Sequence, residues 1–218
     1  MNPRKKFAVI LAGCGVYDGA EIHEATMTLL AIDRHGIEYQ CFAPDINQAQ
    51  VINHLNGNEM KETRNVLVES ARIARGNINP LNRFDEKEFD AVIFPGGFGV
   101  AKNLCTFAFE GENCSVNRDV QNIIKAMHSA GKPIGALCIS PVLITKVLGD
   151  IRVTIGNDPK TADAIRSMGG QHVEASSGEV IIDHQKKIAT SPCYMLETSI
   201  SNIAESADNV VKAILNMC

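Results

Sequence analysis

Residues Pro133-Ile-Gly-Ala-Leu-Cys138-Ile-Ser-Pro141 pass without a linker from a buried strand, through a cysteine, into the start of a helix. Gly135 and Ala136 are small enough for a sharp strand-to-helix turn. Ser140 is placed to cap the helix, and Pro141 suits its first turn. A strand running through a nucleophile into a helix is the nucleophile elbow, here with sulfur in place of a serine hydroxyl. A cysteine at the positive end of a helix is expected to favour its thiolate, the attacking form. The competing reading is a free cysteine that packs as a small hydrophobe.

Working outward, apolar runs alternate with helical patterns. Strands are predicted at residues 7–12, 37–43, 90–95, 134–137 and 152–155. Helices are predicted at 20–35, 59–75, 116–130, 159–168 and 197–216, and a hairpin at 180–182 with 187–190. The polar stretch 76–87 reads as a loop. Strands alternating with helices predict an α/β domain with a mostly parallel sheet covered on both faces. No repeat or linker divides residues 1–218, so one domain is expected. Ligands of such sheets bind at the carboxyl ends of the strands, where the loops after Ala12, Pro95 and Leu137 converge.

Bulk properties narrow the function. A net charge of −4 leaves no footprint for nucleic acid or an anionic membrane. No apolar run reaches membrane-spanning length. Seven cysteines without CxxC spacing argue against a disulfide framework and against a zinc knuckle, so no metal is expected. Reduced thiols and the lack of a secretory core predict a cytoplasmic protein.

The loops supply candidate chemistry. Gly96-Gly97 can expose backbone amides, and the amides of Gly97 and Ile139 could form an oxyanion hole; the plain alternative is an ordinary Pro-Gly-Gly turn. Glu21 and Glu24 are three residues apart on one helical face. Glu24, beside Ala25, Thr28 and Leu29, is the candidate to move protons near Cys138, whereas Glu21 is expected to be solvated. His23 is expected to be a surface or packing residue.

Two histidines follow the cysteine. His172-Val-Glu174 has the form of a triad but is expected at the opposite edge of the sheet, and His184 in an exposed hairpin. The place a partner would occupy holds Gly156-Asn157-Asp158, which makes Asn157 a secondary candidate. Gly13-Cys-Gly15 with Gly19 departs from a dinucleotide-binding loop, because Asp18 stands where glycine is required.

Further stretches are distinctive: Ala-Gly-Cys-Gly-Val-Tyr-Asp-Gly at 12–19, Glu21-Ile-His-Glu24, Cys41-Phe-Ala-Pro44, Val51-Ile-Asn-His-Leu55, Glu62-Thr-Arg-Asn65, Pro95-Gly-Gly-Phe-Gly99, Ala101-Lys-Asn-Leu104 and Pro192-Cys-Tyr-Met195. With Glu24, Gly96-Gly97 and Cys138 they make the chain resemble the PfpI/ThiJ branch of the class I glutamine-amidotransferase-like superfamily. More narrowly, it resembles the ElbB family over nearly its whole length. The resemblance implies a flavodoxin-like three-layer sandwich and a homodimer. It implies a cofactor-free and metal-free glyoxalase that uses no glutathione and turns glyoxal or methylglyoxal into glycolate or lactate. Cys138 would then form a hemithioacetal with the dicarbonyl, Gly97 and Ile139 would hold the oxyanion, and Glu24 would shuttle protons. The missing histidine after Ile155 implies weak activity.

Three other readings stand beside this lyase. A reactive Cys138 suits a redox-sensing or interaction protein without turnover. Glutaminase chemistry needs a histidine at the elbow, and a deglycase would use the same residues as the glyoxalase.

Overall fold

The computed structural model describes residues 4–218. Strands β1 (Lys6–Ile10), β2 (Glu38–Ala43), β3 (Ile78–Pro80), β4 (Ala91–Phe94), β5 (Ile134–Leu137), β8 (Ile181–Asp183) and β9 (Ile188–Ser191) form one sheet in the order β3-β2-β1-β4-β5-β9-β8. Only the β8–β9 edge pair is antiparallel. A separate parallel pair joins β6 (Arg152–Val153) to β7 (Gln171–His172).

Alternate residues of β1 feed opposite cores. Phe7 and Val9 pack with Ile32 of α1 (Ile22–Arg34) and Val210 and Ile214 of α7 (Ile200–Met217). Ala8 and Ile10 belong with Ile124 of α4 (Arg118–Ser129), Leu143 of α5 (Ser140–Leu148) and Ile165 of α6 (Pro159–Ser167). Burial on both faces explains why the parallel strands read as continuous apolar runs rather than alternating ones. The result is the three-layer α/β sandwich that the sequence predicts.

The differences lie at boundaries. The helix expected over 59–75 begins only at α2 (Val66–Ile73), where the Asn65 side chain accepts from the Val68 amide at 3.0 Å. The stretch before it is drawn out instead, with Ile52 and Glu59 bridging. The loop expected at 76–87 contains β3, which pairs Cys41 with Ile78 on the sheet edge. Its Pro80 suits an edge position, because an edge strand has a side that needs no donor. The strand expected at 152–155 shrinks to two residues outside the main sheet. Residues 100–110, unassigned by pattern, form a π-helical turn (Val100–Leu104) and the short α3 (Phe107–Glu110). Among the described residues, no helix is long and apolar enough to cross a membrane.

Strand order reverses at β1, which has β2 on one side and β4 on the other. Chains leaving such neighbours diverge and open a crevice at their carboxyl ends. The loops after β1, β4 and β5 all meet there.

Candidate active site

Cys138 sits between β5 and α5 with φ at +58°, a left-handed backbone that costs a non-glycine residue energy. Its N–H donates to the Ser191 carbonyl of the neighbouring strand at 3.0 Å, which holds the turn in place. Ser140 does not cap the helix. Its hydroxyl donates instead to the Pro95 carbonyl at 2.9 Å, tying the elbow to the loop after β4.

That loop brings Gly96 and Gly97 against the cysteine. A Cβ on Gly96 would lie 2.3 Å from Cys138 Cβ and 2.5 Å from Glu24 Oε2, so nothing larger than hydrogen fits. Gly97 has φ at +102°, and a Cβ there would lie 2.4 Å from the Glu21 nitrogen and the Gly19 oxygen. The backbone N–H groups of Gly97 and Ile139 both act on the Cys138 sulfur, in the direction that favours its thiolate. The two amides expected to make an oxyanion hole therefore both bear on the sulfur.

Glu24 is fully buried behind the sulfur, at 0% exposure. Its Oε2 accepts from the Gly96 N–H at 2.9 Å, and its Oε1 from the Tyr194 N–H at 3.2 Å. Burial pushes its carboxyl up to about 8, with the charge of Glu21 adding and the hydrogen bonds from Tyr194, Gly96 and Cys138 opposing. Burial, and then Glu24, push the Cys138 thiol well above its ordinary range, against the amides of Gly97 and Ile139. This corrects the expectation from helix polarity. Desolvation outweighs the helix end, and the Glu24 carboxyl beside the thiol is shifted the same way.

Glu21 is the other correction. It is 8% exposed rather than solvated, because it precedes the helix as its cap, and its Oε2 accepts from the Glu24 N–H at 2.7 Å. Its own N–H donates to the Gly96 carbonyl at 2.9 Å. His23 is half exposed and lies 2.9 Å from the Tyr194 hydroxyl.

A cavity of about 660 Å³ opens in front of the cysteine, lined by Cys138, Glu21, Gly97, Ile139 and Tyr194 and walled by the rings of Phe98, Phe107 and Phe109. No histidine lines it. His172 lies in β7, with Nε2 3.4 Å from the Ile155 N–H. His184 is exposed in the turn after β8. Asn157 is exposed and outside the cavity lining, and the neighbouring Asp158 lines it instead. Sequence reasoning missed Tyr194, whose backbone holds Glu24 and whose ring lines the cavity; its one signal was the Pro192-Cys-Tyr-Met195 stretch. Among the described residues, no cluster of three or more ligating side chains could hold a metal ion.

Chemically, the arrangement gathers a thiol, two backbone amide donors and a buried carboxyl pushed up to about 8. Residues 12–198 match the model described as the DJ-1/PfpI family. The chain is 45% identical over 226 residues to human "Glutamine amidotransferase-like class 1 domain-containing protein 3, mitochondrial", covering 99% of this chain and 84% of that protein. It is 44% identical to "ES1 protein homolog, mitochondrial" of Rattus norvegicus, covering 99% and 85%. A crystal structure of an isoprenoid biosynthesis protein with amidotransferase-like domain from Ehrlichia chaffeensis superposes with a TM-score of 0.92 at 38% identity, covering 98% of this chain and 99% of that one. Both named relatives are mitochondrial, which overturns the cytoplasmic expectation. Reduced thiols and modest charge do not distinguish the two compartments.

Proposed function

The chain belongs to the DJ-1/PfpI family, and from that membership we propose that it is a cysteine-dependent glyoxalase-type lyase acting without glutathione on glyoxal or methylglyoxal. The observation that carries this reading is the fully buried Glu24 carboxyl, which meets Cys138 around Gly96, beside a cavity lined by no histidine. A histidine-dependent hydrolase has no base here. An internal proton transfer needs only a group that both gives and takes a proton, and a carboxyl held to about 8 does both near neutral pH.

The reaction begins when the Cys138–Glu24 pair loses one proton; the remaining proton shifts from sulfur to Glu24 as the sulfur attacks, so the attacking form is a thiolate beside a neutral acid. The sulfur attacks the aldehyde carbon, and the carbonyl electrons move to oxygen. The Gly97 and Ile139 amides stabilise that oxygen as charge develops on it. Glu24 protonates it, giving the hemithioacetal and a carboxylate. The carboxylate removes the proton of the same carbon, giving an enediol as the adjacent carbonyl oxygen is protonated. Glu24 returns the proton to the adjacent carbon while the first hydroxyl loses its own, which converts the hemithioacetal to a thioester. Water then cleaves the thioester, releasing glycolate or lactate and restoring the thiol.

One observation favours a second reading, a redox-responsive Cys138 without turnover. The neutral Glu24 acid and the two amides would also stabilise oxygens added to the sulfur. The deciding experiment is dicarbonyl consumption with acid-product detection and no glutathione, comparing wild type with Cys138→Ser and Glu24→Gln. Turnover lost in both variants supports the lyase; turnover absent from wild type, or unchanged without the thiol, removes it. The homodimer that goes with the ElbB likeness is tested separately by light scattering.

A further inference from the structure

Two further sulfurs flank a segment that lines the same cavity, and the proposed reaction does not use them. Cys105 and Cys114 are both buried, at 4% and 3% exposure. Cys105 bridges Val116 in antiparallel fashion, and the Thr106 N–H donates to the Ser115 carbonyl at 2.9 Å. This short ladder sets Cys105 diagonally across from Cys114 on one face, since residues two apart on a strand share a side. Cys105 Sγ donates to the Val100 carbonyl oxygen at 3.3 Å, and each thiol is the largest influence on the ionisation of the other. The segment they enclose supplies Phe107, Phe109 and Glu112 to the cavity.

We propose that Cys105 and Cys114 are a reversible dithiol–disulfide site, oxidised by hydroperoxides, whose closure tightens the aromatic wall of the cavity. Cys114 is the attacking sulfur. The neighbouring Cys105 holds it below the ordinary thiol range against its burial, and Lys146 adds to this; Cys105 is held above that range. The Cys114 thiolate attacks one peroxide oxygen, breaking the O–O bond and releasing water or an alcohol. Cys105 then attacks the sulfenic sulfur, forming the S–S bond and releasing water. Two electrons pass from the two thiols to the peroxide. Diagonal neighbours stand farther apart at the backbone than directly opposed ones. Bond closure therefore draws together the stems of the segment carrying Phe107 and Phe109.

The test needs no turnover, so it stands or falls apart from the lyase reading. The full-length chain is treated with hydrogen peroxide, blocked with N-ethylmaleimide and digested with trypsin without reduction. No lysine or arginine lies between Asn103 and Asn117, so both cysteines fall in the one peptide 103–118. That peptide is expected to be unlabelled and about 2 Da lighter than the reduced form, and to regain both labels after dithiothreitol. The link is expected to persist in Cys138→Ser and to vanish in Cys114→Ser. Alkylation of Cys138 is expected to slow several-fold in the linked protein. Full labelling of both cysteines after peroxide overturns the proposal, as does a link from either one to Cys138. A link that leaves Cys138 alkylation unchanged overturns its coupling to the cavity.

Discussion

The Gly96 amide donates to Glu24 Oε2 at 2.9 Å, so the loop after β4 and the helix after β1 are joined through the carboxyl that faces the nucleophile. Both Glu24 oxygens accept from backbone N–H groups, since Oε1 takes the Tyr194 donor. Glu24→Gln puts an amide donor against one of them. We expect this change to lower dicarbonyl turnover at least about 100-fold through loss of the proton carrier. It should also cost about 1–3 kcal/mol of stability through the mismatched contact. Turnover and urea denaturation, measured on one preparation, separate the two effects.

Gly96→Ala tests the packing rather than the charge. The added methyl meets Cys138 Cβ at 2.3 Å, an atom fixed to the backbone of a strained turn that cannot swing aside. Overpacking of this kind costs about 1–3 kcal/mol. The variant is expected to fold, with a lower denaturation midpoint and with turnover reduced as strongly as in Cys138→Ser. Wild-type turnover in Gly96→Ala would mean that the loop does not set the geometry of the sulfur.

The core of this site was legible in the sequence because its parts sit at strand ends, where period and turn residues are informative. Cys138 and Gly96-Gly97 follow apolar runs, and Glu24 lies in the first turn of the helix that the loop after β1 leads into. What stayed hidden depends on contacts between distant segments. The burial of Glu21 comes from its role as a cap, and the carboxyl value of Glu24 comes from complete desolvation. Neither leaves a mark in local spacing. Tyr194 contributes through its backbone N–H, which any residue but proline could supply. The strand β3 was illegible for another reason: Ile78-Asn-Pro80 is too short and too polar to show alternation.

The ionisation of Cys138 yields a labelling experiment. Burial first, and then Glu24, hold its thiol well above the ordinary range. Iodoacetamide labelling of Cys138 at neutral pH is therefore expected to be slower than that of a free thiol, and to keep rising far into the alkaline range. Glu24→Gln removes the second of the opposing influences, so it should speed labelling of Cys138 while abolishing turnover. A variant slower in both would make Glu24 an activator of the thiolate. Mass spectrometry of the Cys138 peptide against time gives the rates directly.

The same carboxyl makes stability depend on pH in a definite direction. Glu24 holds its proton up to about 8 in the folded protein, against an ordinary value of 4.5. Between those values the folded state binds a proton that the unfolded chain has released, so unfolding releases a proton and stability falls as pH rises. The contribution is fully present below about 4.5 and lost by about pH 8, at a limiting rate of about 1.4 kcal/mol per pH unit. Asp158 and Asp208 act with the opposite sign, because hydrogen bonds from Thr161 and Lys212 hold them below their ordinary 3.8, and their effect is confined to more acid conditions. Urea denaturation from about pH 5 to about pH 8 should therefore show a decline in wild type that is flattened in Glu24→Gln. Glutamine cannot ionise, so any decline left in the variant belongs to other groups. Parallel slopes in the two proteins would mean that Glu24 is charged at rest, and the proton transfers assigned to it would then have to start from a carboxylate.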